Sequence, residues 1–392
     1  MPTAATAPRS LDWIVRLVSI DSTSRLSNLP VIEAVAEEAR RLGLAPAICP
    51  NPEDPQKANL LVTVPAADGT TEGGVVLSGH TDVVPVDGQA WDSDPFAPEI
   101  RDGRLYGRGT CDMKGFIGVA VALLPDMIAA ELSEPIHLAL SYDEEVGCLG
   151  GDQIVKDIAN LGLNPRACIV GEPSSMRVIT GHKSVSQLKV TFHGKAAHSS
   201  LTAKGVNAIE YAARLITWIR DRADDWRANG PFDDAYELPW TTTGTNRIHG
   251  GIATNTVPDL CVVEAEFRSI GAVEPQVTIS EYEAYARELE ARMQAEDSSA
   301  RVDFEVMSVV PGLDTPTGAE TVSLGRALGG VPSEDKVTYG TEAGQFAGAG
   351  IETIVCGPGD IAQAHTANEW IELDQIRACE DFVQKLIEHL SR

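Results

Sequence analysis

The chain has 392 residues, enough for two or three domains. Hydrophobic residues make up 43% and charged residues 22%, ordinary globular usage that excludes wholesale disorder. Thirty-one basic residues against 57 acidic ones leave a net charge of −26, a field that repels polyanions and argues against a nucleic-acid partner or an anionic membrane surface.

From the N-terminus, Ser10 precedes an amphipathic segment with Leu11, Ile14, Val15 and Val18 on one face. A second helix is expected from about Pro30 to a stop at Gly43. Strand-like runs follow at Leu60–Val64, Val75–Ser78, Ile136–Tyr142 and Cys168–Val170, with helical stretches at Gly115–Ala130 and Gly151–Leu161 between them. This alternation predicts an α/β fold with a mainly parallel, mixed sheet flanked by helices. After Gly181 the pattern changes. An alternating strand at Ser186–Phe192 leads to a helix over about Lys204 to Trp226, with 221–245 as the best candidate for a long loop. Strands at Asn246–Thr254 and Leu260–Arg268, a helix over about Val277 to Met293 and a strand at Val302–Val309 complete a small α+β block. The α/β style returns from Pro311 and ends in a helix from about Asp374 to Leu390. The expected organisation is one α/β domain over 1–180 and 310–392, with an α+β domain inserted over 181–309.

Seven scattered cysteines without a CxxC pair read as free thiols of a reducing compartment. The N-terminal stretch lacks the basic start, apolar core and cleavage site of a secretory leader, and no apolar run approaches the ~20 residues of a membrane span. The expected location is cytoplasmic, with no membrane partner.

Chemistry gathers where predicted strands end. Val75–Ser78 runs into His80 and Asp82, Ile136–Tyr142 into Glu144 and Glu145, and Cys168–Val170 into Glu172. In open α/β sheets, sites lie beyond the carboxyl ends of the strands. Asp112 adds a fifth carboxylate from a Gly-rich turn before a helix. Carboxylates so crowded raise one another's pKa unless cations are present. Two divalent ions supply four positive charges against the three negative ones of Asp112, Glu145 and Glu172, and a hydroxide balances the remainder. Mixed histidine and carboxylate ligation suits zinc, with cobalt or manganese able to fit. Taken singly, each feature has a plainer explanation: HxD is commonly a satisfied polar pair, Asp-Glu-Glu a solvated loop, and Asp112 a turn former. Their order and context together point to a site.

The segment from Ser78 to Gly115, SGHTDVVPVDGQAWDSDPFAPEIRDGRLYGRGTCDMKG, resembles the signature of the dinuclear zinc deacylase and exopeptidase family. The resemblance continues through DEEVG, GEPS, GHKSVSQLKVTFHGKAAHSS and GPGDIAQAHTANEW, and so covers almost the whole chain. Within the family, GTCDMKG, VTYGTEAGQF and GPGDIAQAHTANEW are most similar to the acetylornithine deacetylases. The resemblance implies a zinc-exopeptidase-like catalytic domain and an inserted lid and dimerisation domain. It implies two Zn2+, replaceable by Co2+ or Mn2+, with His80 and Glu172 on one ion, Glu145 and His365 on the other, and Asp112 bridging. Asp82 would accept the free ring N–H of His80, and the Asp112–Met113 peptide would be cis. Glu144 would be the general base for a metal-bridged hydroxide attacking an amide.

His198 would stabilise the oxyanion, often from the other subunit of a homodimer; without the family it reads as a loop histidine. Asn255 and Arg268 match positions that hold substrate, and an Arg fork suits the α-carboxylate of an N-acyl amino acid. Arg268 otherwise simply ends a strand. Thr341 and Glu342 lie in a stretch that reads equally as an ordinary loop, yet Glu342 is an anion suited to a side-chain ammonium. The implied reaction is hydrolysis of N2-acetyl-L-ornithine to L-ornithine and acetate, in arginine biosynthesis. A broader N-acyl-amino-acid deacylase, a desuccinylase and a dipeptidase share the chemistry.

Overall fold

The computed structural model describes residues 7–391. The N-terminal stretch on which the leader expectation rests begins with residues 1–6, outside the described residues. The chain divides into two compact units. The first runs to Gly181 and resumes over Asp314–Glu334 and from Thr341 onward; the second comprises His182–Leu313 with Asp335–Gly340. Residues 335–340 join the second unit because the Lys183 N–H donates to the Val337 carbonyl and the Lys336 N–H to the Ala235 carbonyl. A single insertion over 181–309 does not include that return segment.

The first unit is built on a six-stranded mixed sheet in the order Ala47–Pro50, Ala58–Val64, Ile136–Ser141, Val75–His80, Ala167–Pro173, Glu352–Gly357. The last four run parallel, while the first two join antiparallel. Helices Leu11–Val18, Lys114–Ala122 and Leu373–Leu390 contribute Ile14, Leu17, Phe116, Ile117, Phe382 and Val383 to a core that also takes Leu77, Leu138 and Ile169 from the central strands. The expected helix over 115–130 is broken at Leu123 into Lys114–Ala122 and Leu124–Ala129. Pro125 is the reason: it lacks an N–H, and its ring clashes with the carbonyl four residues earlier.

The second unit is a four-stranded antiparallel sheet in the order Thr242–Gly250, Leu260–Arg268, Val185–His193, Arg301–Val310. Alternation buries Leu188, Val190 and Phe192 on one strand and Cys261, Val263 and Phe267 on its neighbour. Helices Ala208–Asn229 and Pro275–Glu296 supply Leu215, Ile219, Tyr282 and Leu289 to that core. The first of these starts later than expected because the Asn207 side chain accepts the N–H groups of Ile209 and Glu210, a cap that fixes the start. It also runs on to Asn229, so helix occupies the first third of the expected 221–245 loop. Among the described residues no helix is long and apolar enough to cross a membrane, and all seven cysteines are free.

Candidate active site

Because the four parallel strands share a direction, their carboxyl ends lie along one edge of the sheet. His80 closes the strand Val75–His80, opposite Ser141 of its neighbour, and Glu172 lies near the end of Ala167–Pro173. Gly171 lets that strand pass directly over Phe116: a Cβ there would stand 2.0 Å from a ring carbon. Asp112 arrives on the turn before Lys114–Ala122, and its peptide bond to Met113 is cis. His365 comes from the loop after Glu352–Gly357.

These residues form two trios that share Asp112. His80, Asp112 and Glu172 make one, Asp112, Glu145 and His365 the other, and in each trio the donor atoms lie within 4.8 Å of one another. The His80 Nε2 stands 2.9 Å from Asp112 Oδ1 and 3.8 Å from Glu172 Oε1. The His365 Nε2 stands 3.1 Å from both Asp112 Oδ2 and Glu145 Oε2. Asp112 therefore turns one oxygen toward each histidine. Neutral imidazole and carboxylate oxygen, three donors to a trio around one shared carboxylate, fit a pair of divalent cations.

The electrostatics state the same demand for positive charge. Burial pushes the carboxyls of Glu144, Glu145 and Glu172 upward, and the neighbouring Asp112 adds to the push on each. Hydrogen bonds to Asp112 and Glu145 pull His365 up to about 11. Burial opposes a charge on His80, but Asp112, Asp82 and Glu172 outweigh it and its pKa rises. Burial likewise opposes ionisation of Asp112, yet His365 and His80 hold its carboxyl below the usual range.

The His80 Nδ1 lies 3.0 Å from the main-chain oxygen of Asp82, which fixes Nδ1–H and leaves the Nε2 lone pair facing the trio. The Asp82 carboxylate, expected to take that proton, is further away, with Oδ1 at 3.5 Å. Its oxygens instead accept the backbone N–H groups of Glu144 and Glu145, at 3.0 and 3.3 Å, and the Ser24 hydroxyl at 2.7 Å. Asp82 thus holds the loop that presents Glu144 and Glu145. Asp143 begins that loop at a φ of 51° and pairs with buried Lys57, whose ammonium also donates to the Ser24 carbonyl. Removing one partner of a buried pair costs roughly 3–5 kcal/mol, so Lys57 is tied to the loop's geometry. Glu144 stands outside both trios, with the Cys148 thiol donating to its Oε1 at 3.3 Å.

Glu342 is buried, its Oε1 has no hydrogen-bond partner, and burial pushes its carboxyl up to about 7 against the lowering influence of Ser141. Thr341 is fully buried, and its Oγ1 accepts the Ala343 N–H at the start of helix Ala343–Gly348, so it shapes the backbone around Glu342.

His198, Asn255 and Arg268 belong to the second unit. His198 pairs with Thr256 in a short two-stranded ladder and is exposed; the Asn255 carbonyl accepts the N–H of Ser199 beside it. The Ser200 N–H donates to His198 Nδ1, which leaves the proton on the outward Nε2 as a hydrogen-bond donor. Arg268 is already engaged, donating through Nε to Glu266 and through Nη1 to the Thr338 carbonyl.

Residues 76–389 match the family model described as peptidase family M20/M25/M40. The chain belongs to this family. It is a metal-dependent hydrolase, and the two trios are its candidate ligand groups. Acetylornithine deacetylase of Proteus mirabilis (strain HI4320) is 33% identical to this M20 chain over 393 residues, covering 99% of this chain and 97% of that one. Among solved structures, a tripeptidase from Staphylococcus aureus subsp. aureus mu50 shares the fold with a TM-score of 0.75 at 21% identity, covering 98% of each chain. A dinuclear metal-binding M20 peptidase from Bacillus subtilis does so with a TM-score of 0.67 at 13% identity, covering 97% of this chain and 98% of that one.

Sequence reasoning did not single out Ser24, Lys57, Gln89, Arg108, Cys148 or Glu369, all of which touch the loops that carry the site. Glu369 had one visible signal, an acidic residue four positions after His365. Ser24, Lys57, Gln89 and Arg108 have none, because their partners lie far away in the sequence, while Cys148, four residues after Glu144, looks like one more scattered thiol.

Proposed function

We propose that the protein removes the acetyl group from N2-acetyl-L-ornithine, giving L-ornithine and acetate. The observation that carries this reading is the pair of trios sharing Asp112 with the Glu144 carboxyl beside them. The full-length identity to an acetylornithine deacetylase supports the choice of substrate.

His80, Asp112 and Glu172 would hold one Zn2+, and Asp112, Glu145 and His365 the other, with Co2+ or Mn2+ as chemical substitutes. When bound, such ions acidify water and polarise an amide carbonyl. Glu144 takes a proton from the attacking water as its oxygen bonds to the acetyl carbon. The same carboxyl returns that proton to the amide nitrogen as the C–N bond breaks, releasing amine and acetate. Asp82 keeps Glu144 and Glu145 in register through their backbone N–H groups, one directed to water and one to the cation.

Arg268 and Asn255 are our candidates for holding the substrate α-carboxylate, and His198 for donating its Nε2–H to the oxyanion across a homodimer. Activity per chain should then fall on dilution below the dimer dissociation constant. A constant rate where centrifugation finds only monomer would remove His198 from that role.

Side-chain choice is assigned to Glu342, whose unpartnered Oε1 suits a substrate ammonium. The test is acetate or succinate release from acetylornithine, acetylmethionine and succinyl-diaminopimelate by wild type and by Glu342→Gln. The expected result is a preference for acetylornithine that Glu342→Gln erodes. An unchanged ratio would free Glu342 of this role. A different best substrate, or cleavage of dipeptides alone, would keep the hydrolysis and replace the substrate.

A further inference from the structure

The Glu369 carboxylate is completely buried, yet it touches neither trio of donor atoms. It is occupied by backbone. Its Oε1 accepts the N–H groups of Cys111 and Asp112, at 2.9 and 3.1 Å, and its Oε2 accepts the N–H of Gly109 at 3.0 Å. The Glu369 main-chain oxygen accepts a further N–H, from Gly107. Residues 107–112 belong to no helix or strand, and Gly109 sits at a φ of 84°. The turn that delivers Asp112 is therefore shaped around one carboxylate, because the N–H groups of an irregular buried segment must find acceptors.

The same carboxylate is linked to His365. Arg108 Nη1 donates to Glu369 Oε2, and Arg108 Nη2 to Gln89 Oε1, both at 2.6 Å. Gln89 Nε2 then donates to the His365 main-chain oxygen at 2.9 Å, while Trp91 steadies Gln89 through its ring N–H. His365 sits at a φ of 57°, a conformation that a side chain other than glycine adopts only when its surroundings hold it there. One short loop, 365–369, thus supplies the imidazole that meets Asp112 and the carboxylate that grips the Asp112 backbone.

We propose that Glu369 is a positioning residue that sets the spacing between the two cation positions, with Arg108 and Gln89 carrying that register to His365. This rests on the reading of the two trios as metal ligands. Losing an outer partner of this kind costs roughly 10–100-fold in metal affinity. Glu369→Ala should weaken both ions, because Asp112 belongs to both trios. Gln89→Ala should weaken only the ion held by Glu145 and His365.

The experiment is a Co2+ titration of chelator-stripped wild type, Glu369→Ala and Gln89→Ala, followed by calorimetry and by the visible absorption of bound Co2+. Thermal unfolding is recorded alongside. The expected result is two sites in wild type, both weakened with altered absorption in Glu369→Ala, and one weakened in Gln89→Ala at an unchanged melting temperature. Wild-type affinity and absorption in a folded Glu369→Ala would overturn the proposal. Should Glu369→Ala fail to fold, the half-buried Gln89 decides: wild-type binding by Gln89→Ala would overturn it, and selective loss of one ion would support it. A wild-type protein that binds no Co2+ would defeat the ligand reading beneath it, a result distinct from unchanged variants of a Co2+-binding protein.

Discussion

Glu144→Gln should lower kcat for amide hydrolysis by roughly 10²–10⁴-fold, the range over which a positioned acid–base group contributes. Gln fills the same space but cannot take a proton. Glu144 belongs to neither trio of candidate ligands, so metal content should stay at the wild-type value and KM should change little. Its backbone N–H donates to Asp82 and would do so equally from Gln, which leaves the loop in place. Steady-state kinetics with metal analysis of the same sample checks all three statements. A variant that keeps wild-type kcat would place the base elsewhere. A variant that loses metal would make Glu144 a ligand.

Asp112→Ala should be more damaging still. Its two oxygens stand 2.9 Å from His80 Nε2 and 3.1 Å from His365 Nε2, and each trio falls to two donors without it. Two donors are too few for a closed protein site, where three or four is usual. The expected affinity loss exceeds the roughly 10–100-fold of an outer partner, for both ions together. After desalting, the variant should carry less than one ion per chain and show no measurable hydrolysis. A variant that retained one tightly bound ion would show that one trio stands without the shared carboxylate.

How far the sequence foretold this arrangement depends on where each residue's partners lie. His80, Glu144, Glu145 and Glu172 were legible because apolar runs mark the strands, and the residue type just past each run is read directly. The strand-helix alternation gave the α/β class for the same reason. Asp112 and His365 sit in irregular loops: the Gly-rich turn before a helix pointed to Asp112, and only the motif resemblance singled out His365. Asp82 was found but its partner was not: its carboxylate holds backbone some 62 residues away, which no local pattern encodes. Glu369 grips backbone 257 residues earlier and went unnoticed. The Thr341 hydroxyl accepts the Ala343 N–H at a helix start, a use that the sequence did not announce. Residues 335–340 look like loop in isolation, and their place in the second unit comes from pairing with backbone near Lys183 and Ala235.

The central claim is metal-dependent hydrolysis at the two trios. Its most direct test is acetate release from N2-acetyl-L-ornithine by protein stripped with chelator, verified metal-free, and then reconstituted with Zn2+ or Co2+ in counted equivalents. The account predicts no turnover from the stripped protein and recovery as up to two ions bind. Full-rate hydrolysis by verified metal-free protein would contradict it, as would two bound ions with no hydrolysis of any N-acyl amino acid or dipeptide.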